Sequence, residues 1–353
     1  SFYLDNQIQE TFLQYARQNP NLYELAYMMG YPPKVTGAAN AKVDFYQQLP
    51  SKIDGSSTHV PDYDYALLIN ENALVGATGP NATSFLVQDS IDFSFSSSLD
   101  PTEVTVYSTS GGEANRFLLK KTRNSISSTI KTTTSTFGEV ARYPTIALND
   151  SNIVGILDIT DSDGNIWTEV PYLAQETVFE PIKNNSPFGP DVSAEGDIEE
   201  VPFILNLKKV PRRFVSRFKS PTELEIQFGA GTNQDNVTEV ITPNPDNVGI
   251  GLPSSINKLK TAFNPSNFLY SNTYGIAPSN TTLTIRYLVG GGVTANVDIN
   301  SINTIITAPT NFQKATISNT DDLAQDIFDS LLVNNAEAAT GGSDGDSIEE
   351  IRN

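Results

Sequence analysis

The amino-acid sequence predicts an α+β protein that is mostly β: an N-terminal helical hairpin, β-rich domains behind it, and a short C-terminal helix and linker. Three observations carry this. Helical spacing of apolar residues is confined to the first thirty and the last fifty positions. Between them lie short β-branched and aromatic runs broken by Gly, Pro, Asn and Asp. Ser, Thr and Asn make up 98 of 353 residues, and they favour turns, strand edges and loops because they hydrogen-bond to nearby backbone.

At the N-terminal end, Ile8, Phe12, Tyr15 and Ala16 recur at helical spacing, and Leu22, Leu25, Ala26 and Met29 do so again. Asn19-Pro20 between them reads as a cap followed by proline in the first helical position. Gly30 stands where a C-terminal glycine belongs, and Pro32-Pro33 blocks continuation. Two helices meeting at Asn19 are expected. A hairpin this short needs cover from the next domain or from another chain.

From about Asn40 the period becomes alternating. Val43–Phe45, Ala66–Ile69, Ser84–Val87 and Val104–Tyr107 read as strands, Ile91–Phe95 as a strand with one wet face, and Lys131–Thr136 as a Thr-rich strand. Further on, Ile153–Leu157 and Ile166–Val170 flank Asp161–Asn165 in a hairpin with an Asp-Gly turn. Asn184–Asp197 and Asn233–Asn257 are expected as loops. Strands resume at Phe203–Leu205, Phe214-Val215, Leu224–Phe228 and Leu283–Val289. Helical spacing returns at Asp321–Val333, Ala336–Asp346 is linker-like, and Ile348–Arg352 opens a helix. The expected segments are 1–40, a helical bundle element; 41–144, a β-rich domain; 145–300, a β-rich region with insertions; and 301–353, helix and acidic linker.

Composition narrows the chemistry. Lys and Arg number 22 against 41 Asp and Glu, a formal net charge of −19, which disfavours nucleic acid and anionic membranes as partners. No run of about 18 apolar residues is present, so no membrane span is expected. With no cysteine and one histidine, His59, thiolate chemistry, Cys-ligated metals and nearly all His-based catalysis are excluded. No catalytic residue, metal or cofactor is expected, and the chain is not read as an enzyme.

Several features invite sharper readings. Asp161–Asn165 resembles the front of a calcium loop, but position twelve would be Tyr172 and the flanks are strands, so a plain turn is preferred. Gly290-Gly291-Gly292 lacks the Lys-Ser/Thr of a phosphate loop and precedes Val293–Val297, an extended run, so the glycines are assigned to the backbone, as are Gly229 and Gly231. Lys208, Lys209, Arg212, Arg213, Arg217 and Lys219 crowd into twelve positions. That strip reads equally as a solvated face or as an interface with an acidic partner or a second copy. His59 is read as a surface residue. Asp62/Asp64 and Glu199/Glu200 are acid pairs in turn-like stretches with nothing to single them out as catalysts. The sequons at Asn81, Asn236 and Asn280 matter only in a secreted eukaryotic protein.

Four stretches resemble one family in order and spacing. Phe2-Tyr3-Leu4-Asp5, through Phe12-Leu13 and Leu25-Ala26 to Gly30-Tyr31-Pro32 and Ala38–Ala41, is similar to the opening helices of the large baseplate wedge protein of T-even-type contractile phages. Phe228–Gly231, Arg286–Gly292 with Asn296-Val297, and the segment Gly341–Glu350 resemble motifs of the baseplate J-like family to which that protein belongs. The resemblance implies a structural subunit of the tail baseplate in the virion, assembled in the host bacterial cytoplasm. Two copies would clasp a longer wedge subunit, the opening helices would join an intersubunit bundle, and repeated wedges would form a ring around the hub that rearranges on sheath contraction. It implies a longer product continuing past Asn353. The bundle is expected to use Ile8, Phe12, Tyr15, Leu22, Leu25 and Met29. The rival readings are a carbohydrate- or receptor-binding tail protein, a β-rich polysaccharide-degrading enzyme, and a subunit of a different contractile injection machine.

Overall fold

The structure, a computed structural model, describes residues 7–79, 82–98, 100–183, 203–231, 274–315, 317 and 322–353. The fold is mostly β. It divides into two compact units that alternate along the chain: one holds 1–32, 131–151 and 156–287, the other 33–130, 152–155 and 288–353. This partition differs from the four consecutive segments expected above. Strand pairing joins residues far apart in sequence, so compactness does not follow chain order.

The unit containing residues 33–130 is built on two long strands, β2 (Asn40–Ile53) and β9 (Glu113–Ile126). They pair antiparallel from Asn40 opposite Ile126 to Pro50 opposite Arg116. Around them an eight-stranded sheet adds β3 (His59–Pro61), β5 (Leu74–Ala77), β6 (Ser84–Val87), β8 (Glu103–Ser110), β19 (Ile302–Thr307) and β21 (Leu332–Asn334). A smaller sheet joins β4 (Leu67–Ile69), β7 (Ile91–Asp92) and β20 (Thr310–Phe312), and β1 (Thr36–Gly37) pairs with β22 (Ser343–Asp344). Alternation turns Val43, Phe45 and Leu49 of β2 and Phe117 and Leu119 of β9 into one core with Leu67, Ile69, Val75, Phe85 and Phe93. Helix α2 (Asp322–Asp329) closes it with Ile327, and α3 (Ile348–Arg352) follows with Ile351 buried.

Two polar residues share that inward face. Gln47 is fully buried, its amide donating to the Tyr65 carbonyl at 2.9 Å and accepting the Leu67 N–H at 3.0 Å, which stitches β2 to β4. The Lys121 ammonium is buried against the carbonyls of Asp92 and Phe95, the Thr102 hydroxyl and the Asp100 carboxylate, at 2.8–3.2 Å. Burial lowers the Lys121 pKa. At Asp100 burial pushes the other way, but hydrogen bonds from Arg123 and Lys121 outweigh it and hold the carboxyl below its ordinary range.

In the other unit a seven-stranded sheet runs β10-β18-β12-β13-β16-β17-β11. These strands are Ser128–Phe137, Thr281–Gly290, Ile153–Thr160, Ile166–Glu169, Arg213–Ser220, Glu223–Phe228 and Thr145–Asn149, in that order. Phe228 is the hub of its core, with the rings of Trp167, Phe137 and Phe214 at 5.2, 5.9 and 6.1 Å. Helix α1 (Asn19–Met28) lies against β16. Strands β14 (Thr177–Lys183) and β15 (Phe203–Lys209) form a separate two-stranded sheet.

Among the described residues the predicted helical hairpin is not found. Residues 7–9 make one helical turn, and bonds from Thr11 and Phe12 to carbonyls three residues back make tight turns, not a helix. Side chains compete for the backbone here: the Thr11 hydroxyl donates to the Ile8 carbonyl at 2.6 Å, and the Glu10 carboxylate collects the N–H groups of Arg17 and Gln18. An unpacked segment of this length does not hold a helix by propensity alone. The second helix is present, but its cap is Gln18 without a side-chain bond, not Asn19. Gly30 ends it at φ +88°. Its N–H meets the Tyr27 carbonyl at 3.0 Å and that of Tyr31 meets Ala26 at 2.9 Å, a Schellman motif.

Three further expectations change. Ile91–Phe95 is a strand only to Asp92, because the Asp92 carboxylate accepts the Ser94 N–H at 2.9 Å and turns the chain. Val293–Ala295 is a 3-10 turn rather than an extended run, following Gly292 at φ +89°. Ala336–Asp346 is not a linker: its backbone bonds to Asn40, Val297 and Lys34, and β22 lies within it. The loops expected at Asn184–Asp197 and Asn233–Asn257 lie outside the described residues, as do Asn81, Asn236, Glu199 and Glu200.

Candidate functional site

The six residues expected to cover a partner divide. Leu22 is fully buried with Tyr23 and Ala26, seating α1 on β16. The Phe218 N–H donates to the Tyr27 hydroxyl at 3.0 Å, and Lys219 meets Glu24 at 2.6 Å. Leu25 is half-buried. Ile8, Phe12, Tyr15 and Met29 are exposed, Phe12 by 56% and Met29 by 73%, and Met28, which the helical spacing did not single out, is more exposed still. Phe12 and Tyr15 keep an edge-to-face contact at 6.5 Å. One side of this segment is thus anchored to its own unit while a row of large apolar side chains stands in water.

Below the end of α1 lies an open cleft of about 640 Å³, lined by Tyr27, Gly30, Pro32, Val170, Pro171 and Arg217 among others. Its polar groups are already engaged. The Arg217 guanidinium lies 5.7 Å from the Tyr27 ring centre, and Glu169 accepts a hydrogen bond from Ser216. Burial raises the Tyr27 phenol, which stays protonated.

The basic strip does not stay together. Arg213 is buried, donating to the carbonyls of Leu173 and Val210 at 2.6 and 2.9 Å. Arg212 faces Asp161 at 3.6 Å, Lys219 lies between Glu24 and Glu225, and Arg217 stacks on Tyr27. Only Lys208, paired with Glu180 at 3.3 Å, and Lys209 stand on the separate β14–β15 hairpin. The strip is divided because it spans two sheets, Lys208 and Lys209 on β15 and Arg213, Arg217 and Lys219 on β16, and alternation sends Lys208 and Lys209 to opposite faces.

The glycines serve the backbone. A Cβ on Gly290 would stand 2.5 Å from the Ser127 carbonyl oxygen, and one on Gly291 2.7 Å from that of Gly37, both at positive φ. At Gly229 it would meet the Gly275 carbonyl at 2.2 Å. Gly231 bridges to Ile276, and Gly292 donates to the Gly37 carbonyl. Asp161 closes its turn by accepting from Asp163 and Asn165, with Gly164 at φ +81°.

Asp64 and Asp150 carry the opposite shift from that of a general acid. Hydrogen bonds from Lys314 to Asp64 and from Lys131 to Asp150 hold those carboxyls low. Asp62 pairs with Lys52 at 2.9 Å. His59 shares a hydrogen bond with Ser51 at 3.1 Å and faces Glu113 at 3.9 Å. Asn280, the one described sequon, donates its N–H to the Gly138 carbonyl from a positive-φ turn. No cluster of three or more potential metal ligands exists among the described residues, and no helix there is long and apolar enough to cross a membrane.

No protein-family model and no curated protein matches the chain.

Proposed function

We infer that this chain is a structural subunit of a phage contractile-tail baseplate wedge. It would hold wedge partners together and contribute to the ring around the hub that rearranges on sheath contraction. Four segments resembling the baseplate J-like family support this, and one observation carries it: Ile8, Phe12, Tyr15, Met28 and Met29 lie outside their own core beside an anchored helix. Burying such side chains contributes about 1.5–3 kcal/mol each, so a partner's cover is a substantial driving force. A side chain at Gly290 or Gly291, in the turn after Tyr287, would strike backbone. The role is one of contact: partners are other wedge subunits, a second copy and neighbouring wedges, with no cofactor.

The test is light scattering coupled to size-exclusion chromatography, with the chain alone and with candidate wedge subunits. Co-elution with a wedge subunit, lost in the Phe12→Asp/Met29→Asp variant while circular dichroism is unchanged, is the expected result. A chain that elutes alone beside every tail subunit overturns the assignment.

A further inference from the structure

Strand β8 lies beside β9, and among the described residues no other strand pairs with it. Its far edge presents main-chain N–H and C=O groups that no strand meets, a template for pairing with another chain. At β19, by contrast, the edge is met: the Asn300 N–H reaches the Asn335 carbonyl and the Ile302 N–H reaches the Asn335 side chain. Edges are commonly guarded by lysine or proline, and from Glu103 to Ser110 β8 holds neither. Its register shifts after Val106, so Glu103–Val106 is the regular stretch.

Apolar side chains line this open edge. Val104 stands opposite Leu119 and Val106 opposite Phe117, so both share the face that Leu119 and Phe117 turn to the core. They are nevertheless 41% and 53% exposed. Phe95, 52% exposed, belongs to the same side, its ring centre 5.6 Å from the ammonium of Lys121, which follows Leu119 on that face of β9. It is held there, because its carbonyl accepts from Lys121 at 2.8 Å and from the Thr102 hydroxyl at 2.7 Å. On the opposite face Lys120 serves two carboxylates, Asp44 at 3.6 Å and Glu103 at 3.7 Å, which leaves an excess negative charge beside the edge.

These features specify an occupant. A helix or a lipid covers apolar groups but leaves the main chain of an edge unmatched. An added strand meets both, setting its alternate side chains on the row of Val104 and Val106. The excess carboxylate favours a basic residue across from Glu103. We propose that β8 is a β-augmentation site for an extended segment of another protein, apolar at alternate positions and polar or basic between them. Glu103–Val106 sets the register of that segment, and Phe95 packs against one end of it. The site belongs to the unit of residues 33–130, whereas the exposed row at residues 7–31 belongs to the other. The inference does not depend on the tail assignment.

The probe is a short dye-labelled synthetic peptide in which valine alternates with threonine and lysine, titrated with the whole chain and followed by fluorescence anisotropy. Saturable binding is expected, with hydrogen–deuterium exchange slowed at residues 103–110. The same peptide N-methylated at alternate residues along its pairing edge should not bind, because it keeps the side chains and loses the main-chain donors. Val106→Lys, which puts a guarding lysine on the edge, should weaken binding at least about tenfold. Should that variant lose its circular dichroism, the N-methylated peptide still decides, since it leaves the protein untouched. Absence of saturable binding, binding that survives N-methylation, or slowed exchange confined to other residues overturns the proposal. So does protection of residues 103–110 that grows with protein concentration in the absence of peptide, which would give the edge to a second copy.

Discussion

Residues 7–31 are rich in large apolar side chains, yet Ile8, Phe12, Tyr15, Met28 and Met29 stand exposed, and the buried anchors are Ala16 and one side of α1. Residues 335–352 are small, polar and acidic, yet they are built into their unit. Asn335 is fully buried: its amide donates to the carbonyls of Asp298 and Glu337 and accepts the Ile302 N–H, at 2.8–2.9 Å. Gly342 exchanges two bonds with the Asn296 side chain, Asp346 caps the Lys34 N–H, and Ser347 with Glu350 makes a capping box. A Cβ at Gly345 would stand 2.2 Å from the Val35 carbonyl oxygen. The contrast teaches that burial follows available partners, not residue type. Small polar residues pack closely when their hydrogen bonds are met, and large apolar ones stay wet where no surface of their own unit faces them.

The comparison can be broken most forcefully at Asn335. Replacing it by alanine leaves the buried Ile302 N–H and the Glu337 carbonyl unmet, while the Asp298 carbonyl keeps the Ser301 hydroxyl, so unfolding in urea should show a loss of about 4 kcal/mol, at 1–3 kcal/mol per group; a loss below about 1 kcal/mol would mean the segment is merely draped on its unit. Next is the anchored side of α1. Leu22→Ala should cost about 3 kcal/mol by the same measurement, separating the seated face from the exposed one. On the exposed face, Phe12→Asp and Met29→Asp should each change stability of the lone chain by less than about 0.5 kcal/mol. A larger loss there would show that the row packs on its own unit and has no need of a partner.

The smallest effect is an acid one, shared by both ends. Hydrogen bonds hold two carboxyls below the ordinary glutamate value of ~4.3: at Glu10 from the Asn21 side chain and the N–H groups of Arg17 and Gln18, at Glu350 chiefly from the Ser347 N–H. A depressed carboxyl stabilises the fold above its unfolded pKa, and that contribution is lost as pH falls through the folded value. Carboxyl titrations followed by NMR should therefore show both groups ionised below the ordinary midpoint, with the α3 amides losing exchange protection as Glu350 protonates. A Glu350 that titrates at the ordinary value would remove the capping box from the account.

Much of the strand content was legible because the outward and inward residues differ in polarity. Ser84–Val87, Leu224–Phe228 and Leu283–Val289 are strands as expected, and Asp161–Asn165 is a hairpin turn. The central strand β9 was not legible. Its inward row contains Lys121 and Ser125 beside Phe117 and Leu119, so the alternation that betrays a half-buried strand is broken. Those polar groups are buried without large cost only because the Asp92–Thr102 loop and β2 supply oxygens to them. Of the candidate site, the apolar residues before Gly30 were visible by spacing, but which of them face their own sheet was not. The open edge of β8 escaped notice as well, because Phe95, Val104 and Val106 come onto one face only through the pairing of β8 with β9.

By itself the sequence determined the mostly β class, the stop at Gly30, the capped helix after Ser347 and the scarcity of catalytic side chains, because each depends on local conformational preference or on simple inventory. Tertiary structure alone decided which side chains of α1 are covered, that the acidic end is packed, and that the basic strip is dispersed. Those outcomes turn on whether a distant strand supplies a hydrogen bond, a carboxylate or an apolar surface at the right face, which short-range spacing does not encode.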